Sequence, residues 1–377
     1  MISRGFRGTD AKPSLLGFGC MRLPRLQADK PDIDEAQGQK LIDYAYAHGV
    51  NYFDTAYMYH DGLSEAFVGR ALRKYPRDSY FLADKMPAWM TERESQVDEI
   101  FQDQLKRCGV EYFDFYLCHG LNRGLLQKLK DFHILEYLQQ KKAEGKIRRL
   151  GFSFHDTPEV LQEILKLYDW DFAQIQMNYI DWQAQDAKTQ YALLQEKGIP
   201  VIVMEPVRGG ALAKLCPEAE TLLKAANPQA SLASWAVRYA ASKPGVMTVL
   251  SGMSDEQQVM DNIKTFSDFQ PLTASEAEIL ERAGELYKKY LSIPCTGCRY
   301  CMECPSGVEI PTIFKLYNEF TVSRREGTFL QGYQALEERQ RASSCVACGK
   351  CAQRCPQHIP IPERMKEIRE KAAQMLA

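Results

Sequence analysis

Between residues 15 and 251, short apolar runs alternate with longer amphipathic ones. The short runs fall at 15–21 (LLGFGCM), 51–55, 79–85, 113–119, 147–154, 172–177, 200–205 and 246–251. They are rich in β-branched and aromatic residues and too short for helices, so they predict eight strands. The segments between them, such as 34–48, 64–75, 94–108 and 231–242, predict helices; within 34–48 the apolar residues recur at helical spacing. Eight strands alternating with helices over about 250 residues predict a (β/α)8 TIM barrel. An open, doubly wound sheet is the rival. It normally carries GxGxxG after its first strand, whereas residues 17–22 read GFGCMR.

Past residue 294 the alternation stops and cysteines take over. The resulting division is a barrel over 1–270, a connecting helix or linker over 271–294, and a small, mostly α-helical, cysteine-rich domain over 295–377. A length of 377 residues suits one large domain plus a small one. A net charge of −2 gives no sign of a nucleic-acid partner. No stretch approaches the ~20 apolar residues of a membrane helix. The start, MISRGFRGTD, lacks the apolar core of a signal peptide, so a cytoplasmic location is expected.

Of the 12 cysteines, eight lie between Cys295 and Cys355. Clustered thiols in a chain without an export signal read as metal ligands rather than disulfides. One run is Cys295-x2-Cys298-x2-Cys301-x2-Cys304-Pro305, the other Cys345-x2-Cys348-x2-Cys351-x3-Cys355-Pro356. The second matches the C-x2-C-x2-C-x3-C-P spacing of bacterial ferredoxins, and the first is one residue shorter before its last cysteine. Three thiolates from one tight loop can cap three irons of a cubane, and the fourth iron needs a ligand from elsewhere. Structural zinc also uses C-x2-C pairs, but usually as two separated pairs. Residues 304–315 (CPSGVEIPTIFK) repeat as 355–366 (CPQHIPIPERMK), a shift of 51. Two 4Fe-4S clusters ligated across that repeat are therefore expected. Cys295, Cys298 and Cys301 would share one with Cys355, and Cys345, Cys348 and Cys351 the other with Cys304. Residues 295–377 carry 12 Lys and Arg against 9 Asp and Glu, which would offset anionic clusters.

A barrel keeps its chemistry at the C-terminal ends of its strands. Those ends supply Asp54, Lys85 and His119, and Tyr59 follows Asp54 by five residues. Singly, each has a plainer role: a helix cap, a solvated lysine, a core histidine, a packing tyrosine. Together with GFGCMRLP, LCHG and the pattern Asp54-Thr55-Ala56-x-x-Tyr59-x-x-Gly62-x-Ser64-Glu65, they resemble the aldo-keto reductases over roughly 15–265. With the cysteine module, the chain is similar to the members that carry a C-terminal 4Fe-4S dicluster domain of the ferredoxin type.

The resemblance implies a cytosolic oxidoreductase that interconverts a small carbonyl and an alcohol by hydride transfer with NADPH or NADH. It makes Tyr59 the proton donor, with Lys85 lowering its pKa, Asp54 pairing Lys85 and His119 orienting the carbonyl oxygen. It also implies that Ser153, Gln174 and Asn178 face the nicotinamide and that Met204 and Arg208 lie on the loop along the pyrophosphate. Gly252, Ser254, Gln258 and Asn262 would meet the adenosine side. Three departures stand out. Phe154 replaces an asparagine, Met204 replaces a stacking aromatic, and no Lys or Arg occurs from Val246 to Ile263. Met21, Tyr57 and Trp89 are candidates for the substrate pocket. A nicotinamide releases two electrons at once and each cubane accepts one. The clusters thus imply a single-electron donor or acceptor protein, a flavin for which the sequence shows no signal, or a structural role. A redox-sensing or electron-carrier protein on a nucleotide-binding barrel is the alternative to an enzyme.

Overall fold

The computed structural model describes residues 1–6, 9–27, 30–290 and 292–376. Eight parallel strands close in sequence order: β1 (Leu16–Gly19), β2 (Tyr52–Asp54), β3 (Phe81–Met86), β4 (Phe115–Leu121), β5 (Leu150–Phe154), β6 (Phe172–Gln176), β7 (Val201–Met204) and β8 (Val246–Ser251). β1 pairs both β2 and β8, which completes the barrel. All eight predicted strands are present; most are shorter than expected, β8 keeps its bounds, and β3 and β4 run past their expected ends. The first loses Cys20 and Met21 to a helical turn, Cys20–Arg22.

The strands are buried on both faces, as a parallel sheet covered by helices requires. Inside the barrel lie Tyr52, Ala83, Phe115, Leu117, Phe172, Ile202, Met247 and Leu250, joined by Phe6 from an N-terminal segment bridged at Ser3 and Ser14. Outside, a larger apolar layer joins the strands to the helices. Helix α1 (Glu35–Ala47) starts at Asp34, whose side chain accepts from the Gln37 N–H. Helices α2 (Ser64–Leu72) and α3 (Ser95–Cys108) meet unusually closely. A Cβ on Gly69 would lie 2.2 Å from the Cys108 carbonyl oxygen, so only glycine allows that approach. The contact sets Glu65 of α2 beside Gln104 and Arg107 of α3.

The chain separates into two compact units, Met1–Val207 with Ala233–Ser275, and Arg208–Leu232 with Glu276–Ala377. The second is mainly helical, with Ile310–Ser323, Glu326–Ala335 and Ile361–Leu376 around a core that includes Ile313, Phe314, Phe329, Met365 and Ile368. Two of these helices begin at the Ile-Pro pairs of the 51-residue repeat, where proline suits a first turn. Within this unit the turn Arg208–Ala213 meets the first cysteine run. Gly209 has φ +65°, and a Cβ there would fall 2.0 Å from the Thr296 carbonyl oxygen. Among the described residues, no helix is long and apolar enough to cross a membrane.

Candidate active site

Strand β2 ends at Asp54, and the chain then folds into the turn Tyr59–Gly62, in which His60 and Asp61 adopt left-handed φ of 53° and 52°. That turn returns the Tyr59 phenol toward Lys85, the penultimate residue of β3. The Lys85 Nζ donates to Asp54 Oδ1 at 2.6 Å, to the Thr55 carbonyl oxygen at 2.7 Å and to Tyr59 Oη at 3.2 Å. Lys85 is fully buried, and Asp54, Tyr59 and His119 nearly so. The His119 ring stands edge-on to Tyr59 at 6.1 Å and to Trp89 at 4.8 Å. His119 does not end its strand as expected. β4 continues to Leu121, and its pairing with β5 shifts register between Cys118 and Leu121. A register shift of this kind re-aims a side chain.

The electrostatics differ from expectation in one respect. Burial first, and then the Asp54 charge, push the Tyr59 phenol well above its ordinary range. Lys85 is in place, yet it does not bring the pKa down, because the phenol has lost its solvent and faces carboxylates. Tyr59 is thus a protonated donor, not a phenolate. Burial also raises Asp54 despite Lys85. Its Oδ2 has no hydrogen-bond partner among the described residues.

Burial, aided by Lys85, holds His119 well below 6.5, so the imidazole is neutral; His60 shifts the same way, also through burial. The sign for stability follows. The folded groups stay unprotonated, while the unfolded ones take up protons below their ordinary pKa of about 6.5. Stability is therefore unaffected above that pH and falls as the pH drops below it, by up to about 1.4 kcal/mol per pH unit for each histidine. Urea midpoints at pH 7.5 and 5.5 check this. His119→Gln should show the smaller acid loss, and an equal loss would rule out the assignment.

On β5 and β6, Ser153 and Gln174 are register partners, both buried. Ser153 Oγ accepts from the Gly120 N–H at 2.7 Å, so it also braces the end of β4 just after His119. Gln174 Nε2 lies 3.5 Å from Met204 Sδ, and Gln174 Oε1 is a buried acceptor without a partner among the described residues. Asn178 is committed to its own loop. It donates to Asp181 Oδ2 and to the Glu205 carbonyl oxygen, and it accepts from the Ile180 and Asp181 N–H groups. Phe154, which stands in place of an asparagine after Ser153, packs edge-on to Phe152 at 6.4 Å in the outer apolar layer. Arg208 belongs to the second unit and is buried, unlike a solvated loop arginine.

At the helix Glu256–Ser267 the N-terminus carries its own anion, since Asp255 accepts from the Gln258 N–H at 2.9 Å. Gln258 donates to Asp255 Oδ2 and accepts from the Ser254 N–H. Ser254 Oγ donates to the Arg22 carbonyl oxygen, and Asn262 Nδ2 to Ser251 Oγ. A Cβ on Gly252 would touch the Arg22 side chain, which is ion-paired to Glu205 at 3.1 Å. The motifs in the sequence give no individual role to Asp255, Arg22, Glu205 or Asp84. For Asp84 the signal is its place in β3, where strand alternation turns it away from the side Lys85 faces. Tyr57 is held under Arg107, 4.3 Å from its ring, so of the pocket candidates Trp89 is the one set against His119.

In the second unit, Cys295, Cys298, Cys301 and Cys355 line one cavity with Ile310, Phe314, Ile359 and Ile361. Burial raises the Cys301 thiol, as do the charges of Cys298, Cys295 and Cys355. Burial likewise raises Cys351, which also feels Cys345 and Cys304. Cys348 is exposed. Among the described residues no three Cys, His, Asp or Glu side chains converge as on a single ion. Thiols around a cavity suit a polynuclear cluster better than one metal.

Comparison with known proteins agrees. The aldo/keto reductase family matches residues 15–285, and the 4Fe-4S dicluster domain matches 294–359. The chain belongs to the aldo/keto reductase family and is an oxidoreductase of it, followed by a 4Fe-4S dicluster domain. It is 25% identical to the L-galactose dehydrogenase of Arabidopsis thaliana over 74% of this chain and 93% of that one. It is 26% identical to the NADH-specific methylglyoxal reductase of Escherichia coli over 73% and 98%. Among solved structures, the holo form of aldo-keto reductase AKR11C1 from Bacillus halodurans is 29% identical with a TM-score of 0.63, covering 75% of this chain and 96% of its own.

Proposed function

We propose that this chain reduces a small carbonyl to an alcohol, or runs the reverse, with a nicotinamide dinucleotide, and that Asp54, Tyr59, Lys85 and His119 carry the chemistry. The observation behind this is the Lys85 ammonium held jointly by Asp54, the Thr55 carbonyl and the Tyr59 phenol. The orphaned Gln174 Oε1 fits the amide N–H of a carboxamide, and the Ser153 hydroxyl lies one strand away at the same level. The dinucleotide, when bound, would supply a hydride for the carbonyl carbon. Tyr59 gives its proton to the oxygen as charge develops there. The Lys85 N–H bond to Tyr59 Oη then stabilises the phenolate left behind, and Asp54 keeps Lys85 charged and aimed. Neutral His119 is a hydrogen-bond donor that orients the carbonyl oxygen. Trp89 beside it walls the entry.

NADH is the proposed partner in preference to NADPH. By the resemblance a 2'-phosphate would meet the helix N-terminus that carries Asp255 and Glu256, while Ser254 Oγ is already engaged and Arg22 is paired to Glu205. One like charge at 4 Å in water is worth about 1 kcal/mol. The expected result is a kcat/KM about five- to tenfold higher with NADH, measured across a panel of small aldehydes and ketones under both cofactors. Equal values would overturn the preference, and no turnover with any carbonyl would overturn the activity.

The second unit would hold two 4Fe-4S clusters, one on Cys295, Cys298, Cys301 and Cys355, the other on Cys304, Cys345, Cys348 and Cys351. They would exchange single electrons with a partner protein or support the fold. A redox sensor on a nucleotide-binding barrel is the weaker reading, since such a scaffold needs no buried Tyr–Lys–Asp set.

A further inference from the structure

Behind Lys85, on the face of β3 away from the phenol, lies a second polar cluster that the reaction does not touch. Asp84 and Glu65 are both fully buried, with their carboxyl groups against one another. Asp84 Oδ1 accepts the backbone N–H of Lys85 at 2.8 Å. Gln104 Nε2 donates to the Lys85 carbonyl oxygen and to Glu65 Oε1, each at 3.0 Å. Both backbone polar groups of Lys85 are thus gripped by one network. The network reaches the Tyr59 side as well. Arg107 donates to Glu65 Oε2 at 3.2 Å and to Tyr57 Oη at 3.1 Å, two residues before Tyr59.

The charges of this cluster do not balance unless a proton is added. Its buried carboxyl groups are Asp54, Glu65 and Asp84, and its cations are Lys85 and Arg107. Lys85 is committed to Asp54, and Arg107 is shared between Glu65 and the more exposed Asp103. The remaining neighbours are the Cys108 thiol, 3.7 Å from Asp84 Oδ2, and the Tyr116 hydroxyl, which donates to Gln104 Oε1. Neither brings a positive charge. Two carboxylates in contact cannot both stay ionised out of water with one shared cation. Glu65 receives the Gln104 amide on one oxygen and the charged Arg107 on the other, whereas among the described residues Asp84 receives only a backbone N–H and the weak Cys108 thiol, so Glu65 is the anion.

We propose that Asp84 and Glu65 share a single proton, resident on Asp84, and that this pair positions Lys85 for its work on Tyr59. Asp84 is a positioning residue, acting through the Lys85 backbone. Burial and then the Glu65 charge push the Asp84 carboxyl well above its ordinary range, in keeping with that placement. The inference rests on the role proposed for Lys85.

The test has two arms. Infrared spectra of the full-length protein at pH 7 should show the carbonyl stretch of a protonated carboxylic acid, and Asp84→Asn should lack it. Glu65→Gln, which takes away the carboxylate that accepts this proton, should shift its frequency. A wild-type spectrum without the band, or a band unmoved by either substitution, overturns the proposal. In the kinetic arm, Asp84→Ala should lower kcat on the order of 10²-fold with KM little changed, the effect of a small misplacement of a reacting group. Asp84→Asn, which mimics the neutral acid, should recover most of it. An asparagine as poor as alanine would show that an anion is needed and defeat the idea. A chain that shows the band but turns over no carbonyl refutes the reductase reading and leaves the shared proton standing.

Discussion

Tyr59→Phe is expected to lower carbonyl reduction by about 10²–10⁴-fold, the usual worth of a positioned general acid, with dinucleotide affinity nearly unchanged. The substitution removes one hydroxyl and keeps the ring edge-on to His119. Lys85 keeps Asp54 and the Thr55 carbonyl as partners, so no buried charge is stranded. Lys85→Met is a poorer probe. It leaves Asp54 buried and unpaired, and breaking such a pair costs about 3–5 kcal/mol of stability. Because burial holds the phenol protonated, the donor is loaded throughout the neutral range, and its deprotonation belongs above the ordinary phenol pKa of about 10. The measurements are kcat on the best carbonyl and a fluorescence titration of the dinucleotide. Unchanged turnover in the phenylalanine variant would remove Tyr59 from the mechanism.

The second large effect concerns the clusters. Cys295→Ser and Cys355→Ser, singly or together, are expected to remove about half of the iron and sulfide, since both cysteines would serve one of two clusters. If each run closed its own cluster, the two substitutions would strike different clusters and the double variant would lose nearly all its iron. The cavity that holds Cys295, Cys298, Cys301 and Cys355 together favours the first outcome. So does the influence of Cys304 on Cys351. Iron and sulfide assays on protein purified without oxygen decide between them. Cys295, Cys304, Cys345, Cys351 and Cys355 also pack against the apolar core of this unit. Loss of a cluster should therefore loosen residues 295–376, and proteolysis should register it, as for sites whose metal binding is coupled to folding.

Much of this protein is legible from residue order alone. Eight apolar runs mark eight strands because a parallel strand covered on both faces must be apolar nearly throughout. Asp54 and Lys85 stand out because a charge near the end of such a run has to be explained. The cysteine runs are legible because the spacing is local, three thiols to a loop, and the 51-residue repeat is the ground for expecting each fourth thiol from the other run.

Other features depend on which distant segments meet. Nothing near His119 tells that β4 runs on to Leu121, or that Phe154 faces the helices and not the barrel mouth. Gly209 reads as part of a loop along a phosphate, yet what requires a glycine there is the carbonyl of Thr296, far along the chain. The protonation of Tyr59, His119 and Asp84 was hidden for the same reason. A pKa is set by lost solvent and by charges brought in from other elements, here Asp54, Glu65, Lys85 and Arg107. Sequence determined which groups were present and which strands carried them. Only the closed barrel decided which were stripped of water and which charges they then faced.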